Sequence, residues 1–465
     1  MNHLTTIFDR ADRFMTRHFT RPSITWRQSV TIVIPLIAEN LFSTLFGLLN
    51  TGMISASGVT SLSAVSLVDT LNTFLFVFYS GIATGACVVV ANYRGKGGAE
   101  KLHESMVQAV TSVTLFTLAT TLFVIAFNRP LLNMLFGAAE QEVMDKALLY
   151  MLGGALSLPL LGITTAVCGV LRGIGEGRIS LVYTMISTGV YVLLNVLFLT
   201  ILKLGIPGLI LSITLNRITN IPLILFLMKK GHSAFRARFR EFFHINFKML
   251  GSIMKIGLPC AMEQLFFTGG RLVTQSMIVP MGTNAIVTYN VSYSIMTLSQ
   301  CLVNPVNTAM FTIAGICMGN DRPEDVRSLT KSYFIFNTCS YVFSLGLILV
   351  LFRSLVRFYN APAELVSEIF LYVMITTVSQ PIIHNAAFML PSVFRAVGDG
   401  NYCTVVSLII MWVVRVLGGY ILGVWMGMGV LGIWIAMDLD WLVRALIFPL
   451  RFRGTKWLEH RPITD

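Results

Sequence analysis

The sequence predicts an all-α polytopic membrane protein with twelve transmembrane helices, arranged as two pseudo-twofold-related six-helix lobes around a central cleft. Three observations support this prediction. Of the 465 residues, 55% are hydrophobic and only 12% are charged, whereas about a quarter of the residues in soluble domains are charged. Apolar runs of about 20 residues, the length that spans a bilayer, recur along the chain. The second half also repeats the first at a spacing of 224 residues.

The apolar runs define the helices one by one. They are long and unbroken, whereas the strands of a membrane β-barrel are about ten residues long and alternate in polarity. Short polar breaks separate the runs from one another. We therefore predict spans at residues 28–50, 61–92, 107–126, 146–170, 179–202, 207–228, 249–280, 284–316, 331–352, 364–392, 403–425 and 429–450.

The distribution of basic residues predicts the orientation of the chain. The net charge of +12 is concentrated in the N-terminal segment, in alternate loops and in the tail, so the positive-inside rule places both termini in the cytoplasm. No nucleic-acid partner is expected. The first apolar run lacks a small-residue cleavage site and is expected to be retained. The predicted divisions are a cytoplasmic N-terminal segment (1–27), an N-lobe (28–228), a basic cytoplasmic linker (229–248), a C-lobe (249–450) and a cytoplasmic tail (451–465).

The internal repeat predicts a transport architecture. Six helices per half is an even number, so both halves enter the membrane from the same side and form a parallel repeat, which is typical of alternating-access carriers. The sequence has no HExxH, GxSxG or P-loop motif and no CxxC pair, so neither an enzyme nor a metal site is predicted. The aligned pairs include Pro35/Pro259, Gly58/Gly282, Gly95/Gly319, Glu100/Glu324, Gly205/Gly429, Gly208/Gly432 and Asn216/Asp440 at a spacing of 224, and Arg172/Arg395, Gly175/Gly398 and Glu176/Asp399 at a spacing of 223.

Two glutamates interrupt apolar helices at matching positions of the two halves. Glu39 lies four residues after Pro35, and Glu263 lies four residues after Pro259. Glu39 is about 18 Å along its helix from Arg27, which predicts a depth near the bilayer midplane. A carboxylate there must be protonated, paired or hydrated, because a charge at the centre of a span costs about 2.5 to 3.5 kcal/mol. We predict that both glutamates bind the coupling ion; the alternative is that they are neutral and hydrogen-bond neighbouring helices.

Further polar residues are candidates for contacts with ions or substrates. Arg271 lies two turns after Glu263, where it could neutralise that glutamate or bind an anionic substrate. His384 is the next candidate for ion coupling, because histidine can change charge near neutral pH; interhelical packing is the alternative. The polar candidates of the N-lobe are Asp69, Asn195 and Asn216, and Asp438 and Asp440 are expected to pair with Arg415 or Arg444.

Aromatic residues beside these polar positions predict a soft substrate pocket. Aromatic faces attract organic cations, and methionines, of which there are 23, adapt to varied shapes. The candidates for the substrate cleft are Arg271, Phe42, Phe46, Phe266, Phe267, Tyr289, Tyr293 and Asn290.

Several short stretches resemble those of the MATE (multidrug and toxic compound extrusion) transporters. In the first half they are "GVTSLSAVSLVDTLNTFLF", "GIATGACVVVANYRGKGGAEKLHES" and "VLRGIGEGRISLV", and in the second half "GTNAIVTYNVSYSI", "AGICMGNDRPEDVRSL" and "VFRAVGDGNY". Each stretch alone is mainly glycine with a charge in a turn, but their order, spacing and duplication are specific. The resemblance implies a twelve-helix exporter in the inner or plasma membrane that exchanges Na⁺ or H⁺ for organic, often cationic, compounds.

The sequence departs from the pattern of this family at three positions. An aspartate that many members carry eight residues before the glycine of the second helix is Asn50 here, and Asn50 is included among the ion-coupling candidates. An aspartate that some members carry eleven residues before the arginine of the tenth-helix turn is His384. The acidic position eight residues after the proline of helix seven is Phe267, and the carboxylate of that helix is Glu263. The coupling chemistry of the family therefore cannot be transferred unchanged.

We expect a secondary active exporter that uses an H⁺ or Na⁺ gradient to expel organic, cationic and amphipathic compounds by alternating access. No cofactor beyond the coupling ion is expected, and the expected partners are small organic substrates and the lipids around a monomer. Two alternatives remain open. One is a lipid-linked saccharide flippase of the same wider superfamily, which a cleft rich in arginine would favour. The other is a transport-inactive scaffold or sensor, which would not need the costly paired glutamates.

Overall fold

The structure is a computed structural model that describes residues 12–13, 15–55, 59–136, 141–231, 233–236, 238–359 and 361–458. Within these ranges, the side chains of residues 45–55, 59–64, 66–67, 70, 134–136, 142–143, 239, 243 and 283 are not described. The side chains of the candidates Phe46 and Asn50 therefore lie outside the described residues. The described part of the chain is helical, apart from turns, loops and one isolated bridge between Arg21 and Ile24.

Twelve helical segments follow the predicted spans in order. We label them α1 (Trp26–Ser55), α2 (Val59–Lys96), α3 (Ala99–Ala126), α4 (Gln141–Ala155 and Leu158–Gly173), α5 (Gly177–Asn195 and Val196–Ile201), α6 (Gly205–Lys230), α7 (Phe247–Ile278), α8 (Thr283–Ser299 and Asn304–Gly319), α9 (Pro323–Phe358), α10 (Val366–His384, Asn385–Met389 and Leu390–Ala396), α11 (Gly400–Ile410, Met411–Leu417 and Tyr420–Trp425) and α12 (Gly429–Arg453). The two parts of α4 meet at a bend of 48°, and those of α8 at a bend of 46°. α5, α10 and α11 contain π-helical turns, which often occur at functional positions.

The lengths and compositions of these helices agree with membrane spans. Among the described residues, seven helices are long and apolar enough to cross a bilayer, and the two bent pairs bring the number to nine. The other three segments, α1, α7 and α12, are 30, 32 and 25 residues long and carry charged residues within apolar sequence. Glu39, Glu263 and Asp440 are among these charges.

Contacts between the helices divide the chain into two compact units. The N unit is Ile34–Ala261, and the C unit combines the described residues of Met1–Val33 and Met262–Asp465. The first turns of α1 therefore pack with the second half of the chain, whereas the linker and the first half of α7 pack with the first half. The predicted lobe boundaries describe the sequence repeat and stay a prediction.

Hydrogen bonds attach the segment before α1 to the C unit and the segment before α7 to the N unit. In the C unit, Arg21 donates two hydrogen bonds to Ser328 Oγ of α9, at 2.8 and 2.6 Å. In the N unit, the Gln108 amide of α3 donates to the carbonyl of His244 (2.5 Å) and accepts from the N–H of Asn246 (3.2 Å). The two leading segments thus pack on the third helix of the other half, in equivalent places of the repeat.

Glycines let α2 and α7 approach each other closely within the N unit. A Cβ atom at Gly81 would lie 2.3 Å from the Cα of Ala261, and one at Gly85 would lie 2.4 Å from the Cα of Gly257. These distances are far below van der Waals contact, so a larger residue would force the two backbones apart. Small residues at contacts between membrane helices commonly have this role.

Candidate functional site

The turns that follow α4 and α10 are built in the same way in both halves of the repeat. Gly175 and Gly398 take φ angles of 73° and 97°, which residues with a side chain disfavour. The N–H groups of Glu176 and Asp399 then donate to the carbonyls of the residues five positions earlier, at 2.7 and 2.8 Å. This pattern ends each helix sharply and satisfies carbonyls that the helix end would leave unpaired.

Glu39 of α1 is held by hydroxyl groups of α5. Ser180 Oγ donates to one carboxylate oxygen (3.3 Å), and Thr184 Oγ1 donates to the other (3.1 Å). The guanidinium of Arg172 attracts Glu39 electrostatically, while its Nε donates to the carbonyl of Cys168 (3.2 Å). One carboxylate therefore connects α1 with α4 and α5.

Glu263 of α7 forms an ion pair with Arg395 of α10. Both side chains are 13% exposed, so the pair is largely shielded from solvent. The repeat aligns Arg395 with Arg172, which means that each half brings an arginine of its fourth helix to the glutamate of its first helix. Arg395, rather than Arg271, is the residue that neutralises Glu263.

These contacts locate the two glutamates along their neighbouring helices. Ser180 and Thr184 lie in the first two turns of α5, about 5 to 10 Å from its start at Gly177. Arg395 is likewise the second-last residue of α10. Glu263 therefore contacts the last turn of α10, and Glu39 contacts the first two turns of α5. The predicted depth of the two glutamates near the bilayer midplane stays a prediction.

The Glu263–Arg395 pair lines a cavity of about 310 Å³ within the C unit. This volume is at the lower end of the range of about 300 to 1,000 Å³ that small-molecule sites occupy. The cavity offers one carboxylate, two guanidinium groups and three aromatic faces, which can contact a small molecule with polar and aromatic parts. The lining residues are Glu263, Gln264, Phe267, Thr268, Asn304, Asn307, Thr308, Phe311, Ala387, Phe388, Pro391, Ser392, Arg395 and Arg444.

A network of buried amides supports the wall of this cavity. Asn337 of α9 donates to Asn307 of α8 (3.0 Å) and to Asn385 of α10 (2.8 Å). Asn385 in turn donates to Thr338 Oγ1 (2.7 Å) and begins the π-helical turn of α10. Buried amides that bond to each other fix the packing of three helices around the cavity.

His384 lies behind the cavity wall. It is 1% exposed and packs between the rings of Tyr341 and Phe388, whose centroids are 5.1 and 4.7 Å from that of the imidazole. Its Nδ1 has no hydrogen-bond partner among the described residues. Because Phe388 also lines the cavity, His384 supports its shape. Its role in ion coupling stays a prediction.

A second charged cluster lies between α11 and α12. Asp440 accepts a hydrogen bond from Arg444 Nε (2.8 Å) and pairs with Arg415 at 3.7 Å, which confirms the expected pairing for this aspartate. All three side chains are buried. Both guanidinium groups lie over the ring of Phe267, at 5.2 and 5.8 Å. Asp438 instead accepts a hydrogen bond from a serine hydroxyl of α10 (3.2 Å).

Arg271 belongs to an aromatic group on α7 and α8. Its Nη1 donates to the hydroxyl of Tyr293 (3.3 Å), and its guanidinium lies over the same ring at 5.6 Å. Tyr293 stacks on the buried Tyr289 at 5.9 Å. Asn290 is exposed and accepts a hydrogen bond from Gln275 (3.4 Å). Arginine cations thus cover the rings of two predicted substrate residues, Tyr293 and Phe267, in this structure.

The N unit contains a polar cluster around Asp69, the one member of the cluster that was predicted from the sequence. Asp69 of α2 accepts a hydrogen bond from Tyr150 of α4 (3.0 Å). Arg217 of α6 attracts Asp69 electrostatically and donates to a serine hydroxyl at the bend of α4 (2.6 Å). The other described candidates outside the C-unit clusters are Asn195, which is fully buried, and Asn216, Phe42 and Phe266, which are half-buried.

Three arginines at these sites were not predicted as partners of the acids. Arg172 and Arg395 are recognised only as aligned turn residues, although their spacing of 223 nearly equals the 224 that separates the two glutamates. Because the two glutamates and the two arginines recur at nearly the same spacing, the sequence indicates an equivalent glutamate–arginine contact in each half. Arg217 has the signal of an ionisable residue in the middle of an apolar span, which marks a functional or buried paired position.

Known proteins match the chain over nearly its full length. An uncharacterized transporter of Bacillus subtilis (strain 168), YisQ, is 22% identical over 450 residues, covering 95% of each chain. A probable multidrug resistance protein of Thermotoga maritima, NorM, is 21% identical over 450 residues, covering 94% of each. Among solved structures, the outward-facing conformation of a multidrug resistance MATE family transporter of the MOP superfamily aligns with a TM-score of 0.83 at 18% identity, covering 92% of this chain and 94% of that one.

The structural likeness confirms the predicted fold class, twelve transmembrane helices in two lobes. The MatE family model matches residues 35–197 and residues 259–421, one match in each half of the repeat. Together the two matches cover more than half of the chain. The chain therefore belongs to the MatE family, whose members are multi-pass membrane transporters rather than enzymes.

Proposed function

We propose that this protein is a secondary active exporter in which protonation of Glu39, driven by a proton gradient, is coupled to the expulsion of amphipathic organic cations. The observation that carries the proposal is the position of Glu39, a carboxylate inside the helix bundle that accepts hydrogen bonds from two hydroxyl groups. Hydroxyl groups can donate to a carboxylate and accept from a carboxylic acid, so both protonation states of Glu39 can be bonded there.

Protonation of Glu39 would change the force between α1 and α4. The charged form attracts Arg172, whereas the neutral form does not. Pro35 lies inside α1 one turn before Glu39 and removes a backbone hydrogen bond, which permits a bend at that level. In this proposal the loss of attraction lets α1 bend away from α4, and deprotonation restores the original packing. Na⁺ is the alternative coupling ion, because the same oxygen atoms can bind a hard cation.

Membrane location and substrate class are part of the proposal. The multidrug resistance names of relatives support organic substrates, and the phenylalanines of the C-unit cavity supply aromatic surface for them. The basic linker supports an inner or plasma membrane location with both termini cytoplasmic. Membrane lipids and small substrates are then the partners of a monomer, with no cofactor besides the coupling ion.

The surplus of arginine in the C unit favours a second candidate function, transport of an anionic compound such as a lipid-linked saccharide. Arg271 contacts tyrosine rings, and Arg415 and Arg444 share one carboxylate. In the C-unit clusters described above, four arginines (Arg271, Arg395, Arg415 and Arg444) accompany three carboxylates (Glu263, Asp438 and Asp440). An anionic substrate would find a net positive environment there.

Transport in liposomes under separately imposed gradients tests both candidates. The purified protein is reconstituted with either a cationic or an anionic fluorescent dye, and a pH gradient or a Na⁺ gradient is applied. We expect movement of the cationic dye under the pH gradient and loss of that movement in Glu39→Gln. Glu263→Gln tests the other glutamate, and Glu364→Gln, an exposed carboxylate before α10, is the matched control.

Each outcome assigns a function. Full pH-driven transport in Glu39→Gln would overturn the role of Glu39, and transport driven only by Na⁺ would replace the proton as the coupling ion. Movement of the anionic dye alone would favour the second candidate. No movement of either dye under either gradient would favour a transport-inactive scaffold or sensor.

A further inference from the structure

A large apolar cavity in the N unit lies apart from the Glu39 site. It has a volume of about 960 Å³ and is enclosed by α3, α4, α6 and the linker that precedes α7. This volume is near the upper end of the range for small-molecule sites. Its walls are formed mainly by aliphatic and aromatic side chains, among them Val110, Val167, Ile224, Phe235 and Phe242.

The hydroxyl groups in the walls of this cavity add little polarity to it. Two threonines of α3 line the cavity, but their hydroxyls donate to backbone carbonyls one turn earlier: Thr111 to Val107 (3.0 Å) and Thr114 to Val110 (2.7 Å). These hydroxyls already donate their protons and offer a ligand little beyond a lone pair. Leu225 on the α6 side is 58% exposed, so the cavity opens sideways on the outer surface of a membrane-spanning helix. In a bilayer, such an opening faces the hydrocarbon chains of the lipids.

One end of the cavity is cationic. Lys229 lies in the last turn of α6 and Arg236 lies in the linker, and both side chains are exposed and line the cavity. No acidic residue is among the described residues that line the cavity. Among the described residues neither cation forms an ion pair with an acid.

Two acids that lie in the linker or contact it are occupied by other partners. Glu176 accepts hydrogen bonds from the Ser233 hydroxyl and from the N–H of Ala234 (2.9 Å). Glu241 pairs with His103 at 2.7 Å. The positive charges at the end of the cavity are therefore available to a ligand.

We propose that this cavity binds an anionic phospholipid from the cytoplasmic leaflet. An acyl chain would fill the apolar space, and the phosphate would lie between Lys229 and Arg236. An organic cation would be repelled by the two charges, and a water-soluble anion would leave the apolar space empty. Basic pockets between spans at the cytoplasmic side commonly bind anionic head groups. A bound lipid would bridge α6 and the linker, and would thereby stabilise the N unit.

Lipid titration of the purified full-length protein in a non-ionic detergent tests the proposal. Melting temperature and native mass spectrometry are followed as phosphatidylglycerol or phosphatidylcholine is added. We expect phosphatidylglycerol to raise the melting temperature and to remain bound, with phosphatidylcholine weaker by about tenfold or more. The variant Lys229→Gln/Arg236→Gln should lose this preference. Lys230→Gln/Arg240→Gln removes two exposed charges that do not line the cavity and should retain it.

Two further arms distinguish the source of binding. Inorganic phosphate alone should not reproduce the rise in melting temperature. Leu225→Trp places a bulky group at the exposed opening, so it should weaken binding of phosphatidylglycerol. It should not lower the melting temperature of the lipid-free protein. Equal responses to both lipids, an equal response to phosphate, or unchanged binding in Lys229→Gln/Arg236→Gln would each overturn the proposal.

Discussion

Glu39 and Glu263 occupy equivalent positions in the repeat, but they have different bonding partners. Glu263 is held by a direct ion pair with Arg395. Glu39 accepts hydrogen bonds from two hydroxyl groups, and Arg172 adds electrostatic attraction. The glutamate of one half therefore pairs directly with an arginine, and the glutamate of the other accepts hydrogen bonds from neutral donors with an arginine's attraction in addition.

The difference originates in the fifth helix of each half. The spacing of 223 that aligns the arginines also aligns Ser180 with Cys403 and Thr184 with Ser407. A thiol is a weak hydrogen-bond donor, and the hydroxyl of Ser407 is buried without a partner among the described residues. The differences between Ser180 and Cys403 and between Thr184 and Ser407 thus explain why Glu263 and Glu39 have different partners. A duplicated acid can keep its place in the fold while its hydrogen-bond partners change.

Removing each glutamate should give the largest difference between the two halves. Glu263→Gln removes the carboxylate that neutralises the shielded Arg395, and we expect a loss of about 3 to 5 kcal/mol of stability. Glu39→Gln keeps an amide oxygen for the hydroxyl donors and should cost about 1 kcal/mol. Thermal unfolding in detergent measures both.

The double variant Glu263→Gln/Arg395→Met is the control for this comparison. It removes both charges and should recover most of the stability lost in Glu263→Gln. Equal melting temperatures for Glu263→Gln and Glu39→Gln would mean that the ion pair and the hydroxyl contacts stabilise the two halves equally.

The close contact of α2 with α7 should also distinguish the halves. Gly85→Ala would place a Cβ 2.4 Å from the Cα of Gly257, and we expect a loss of about 1 to 3 kcal/mol. The repeat aligns Gly85 with Ala309, which is buried with its Cβ already accommodated. Ala309→Gly should cost about 1 kcal/mol through backbone entropy. The yield and melting temperature of the two variants are compared; a tolerated Gly85→Ala would show that the helices can separate without cost.

The hydroxyl contacts of Glu39 can be removed one at a time. Thr184→Val deletes a donor to the carboxylate and should cost about 0.5 to 1.5 kcal/mol, with a similar effect for Ser180→Ala. The aligned control is Ser407→Ala, which deletes a hydroxyl without a described partner and should leave the melting temperature unchanged or raised. If Ser407→Ala lowers the melting temperature more than Thr184→Val does, the assignment of Thr184 as a stabilising donor to Glu39 is wrong.

The smallest expected effect concerns acid pH and the linker. The hydrogen bond from His103 lowers the pKa of Glu241 below its ordinary value of 4.5. A lowered pKa means that the contact contributes stability above the ordinary value, and that this contribution is lost as the pH falls through the lowered pKa. The repeat aligns His103 with Arg327, which instead donates to the carbonyls at the end of α12 (2.9 Å to Phe452), a contact without a titrating acid.

Melting temperatures measured from neutral pH to about pH 3 test this asymmetry. His103→Gln should reduce the small fall in melting temperature at acid pH. Arg327→Gln should instead lower the melting temperature by the same amount at every pH in the range. If His103→Gln leaves the acid side of the curve unchanged, the pairing with Glu241 does not contribute to stability.

Much of the fold and part of the site follow from the sequence. The twelve spans and the two equivalent glutamates are predictable, because apolar length and recurrence are properties of the chain itself. The partners of the glutamates are not, since Arg172 lies 133 positions after Glu39 and no local periodicity connects them.

The sequence by itself determines that this chain is a duplicated bundle of membrane helices, because a bilayer requires each span to satisfy its own backbone hydrogen bonds within about 20 apolar residues. Only the tertiary structure decides that Glu263 is paired with arginine and that Glu39 is held by hydroxyls. A helix fixes the spacing of side chains on its own surface, but its rotation and distance from its neighbours depend on packing. Contacts as close as that of Gly85 with Gly257 set those distances, and thereby select the groups that reach each carboxylate.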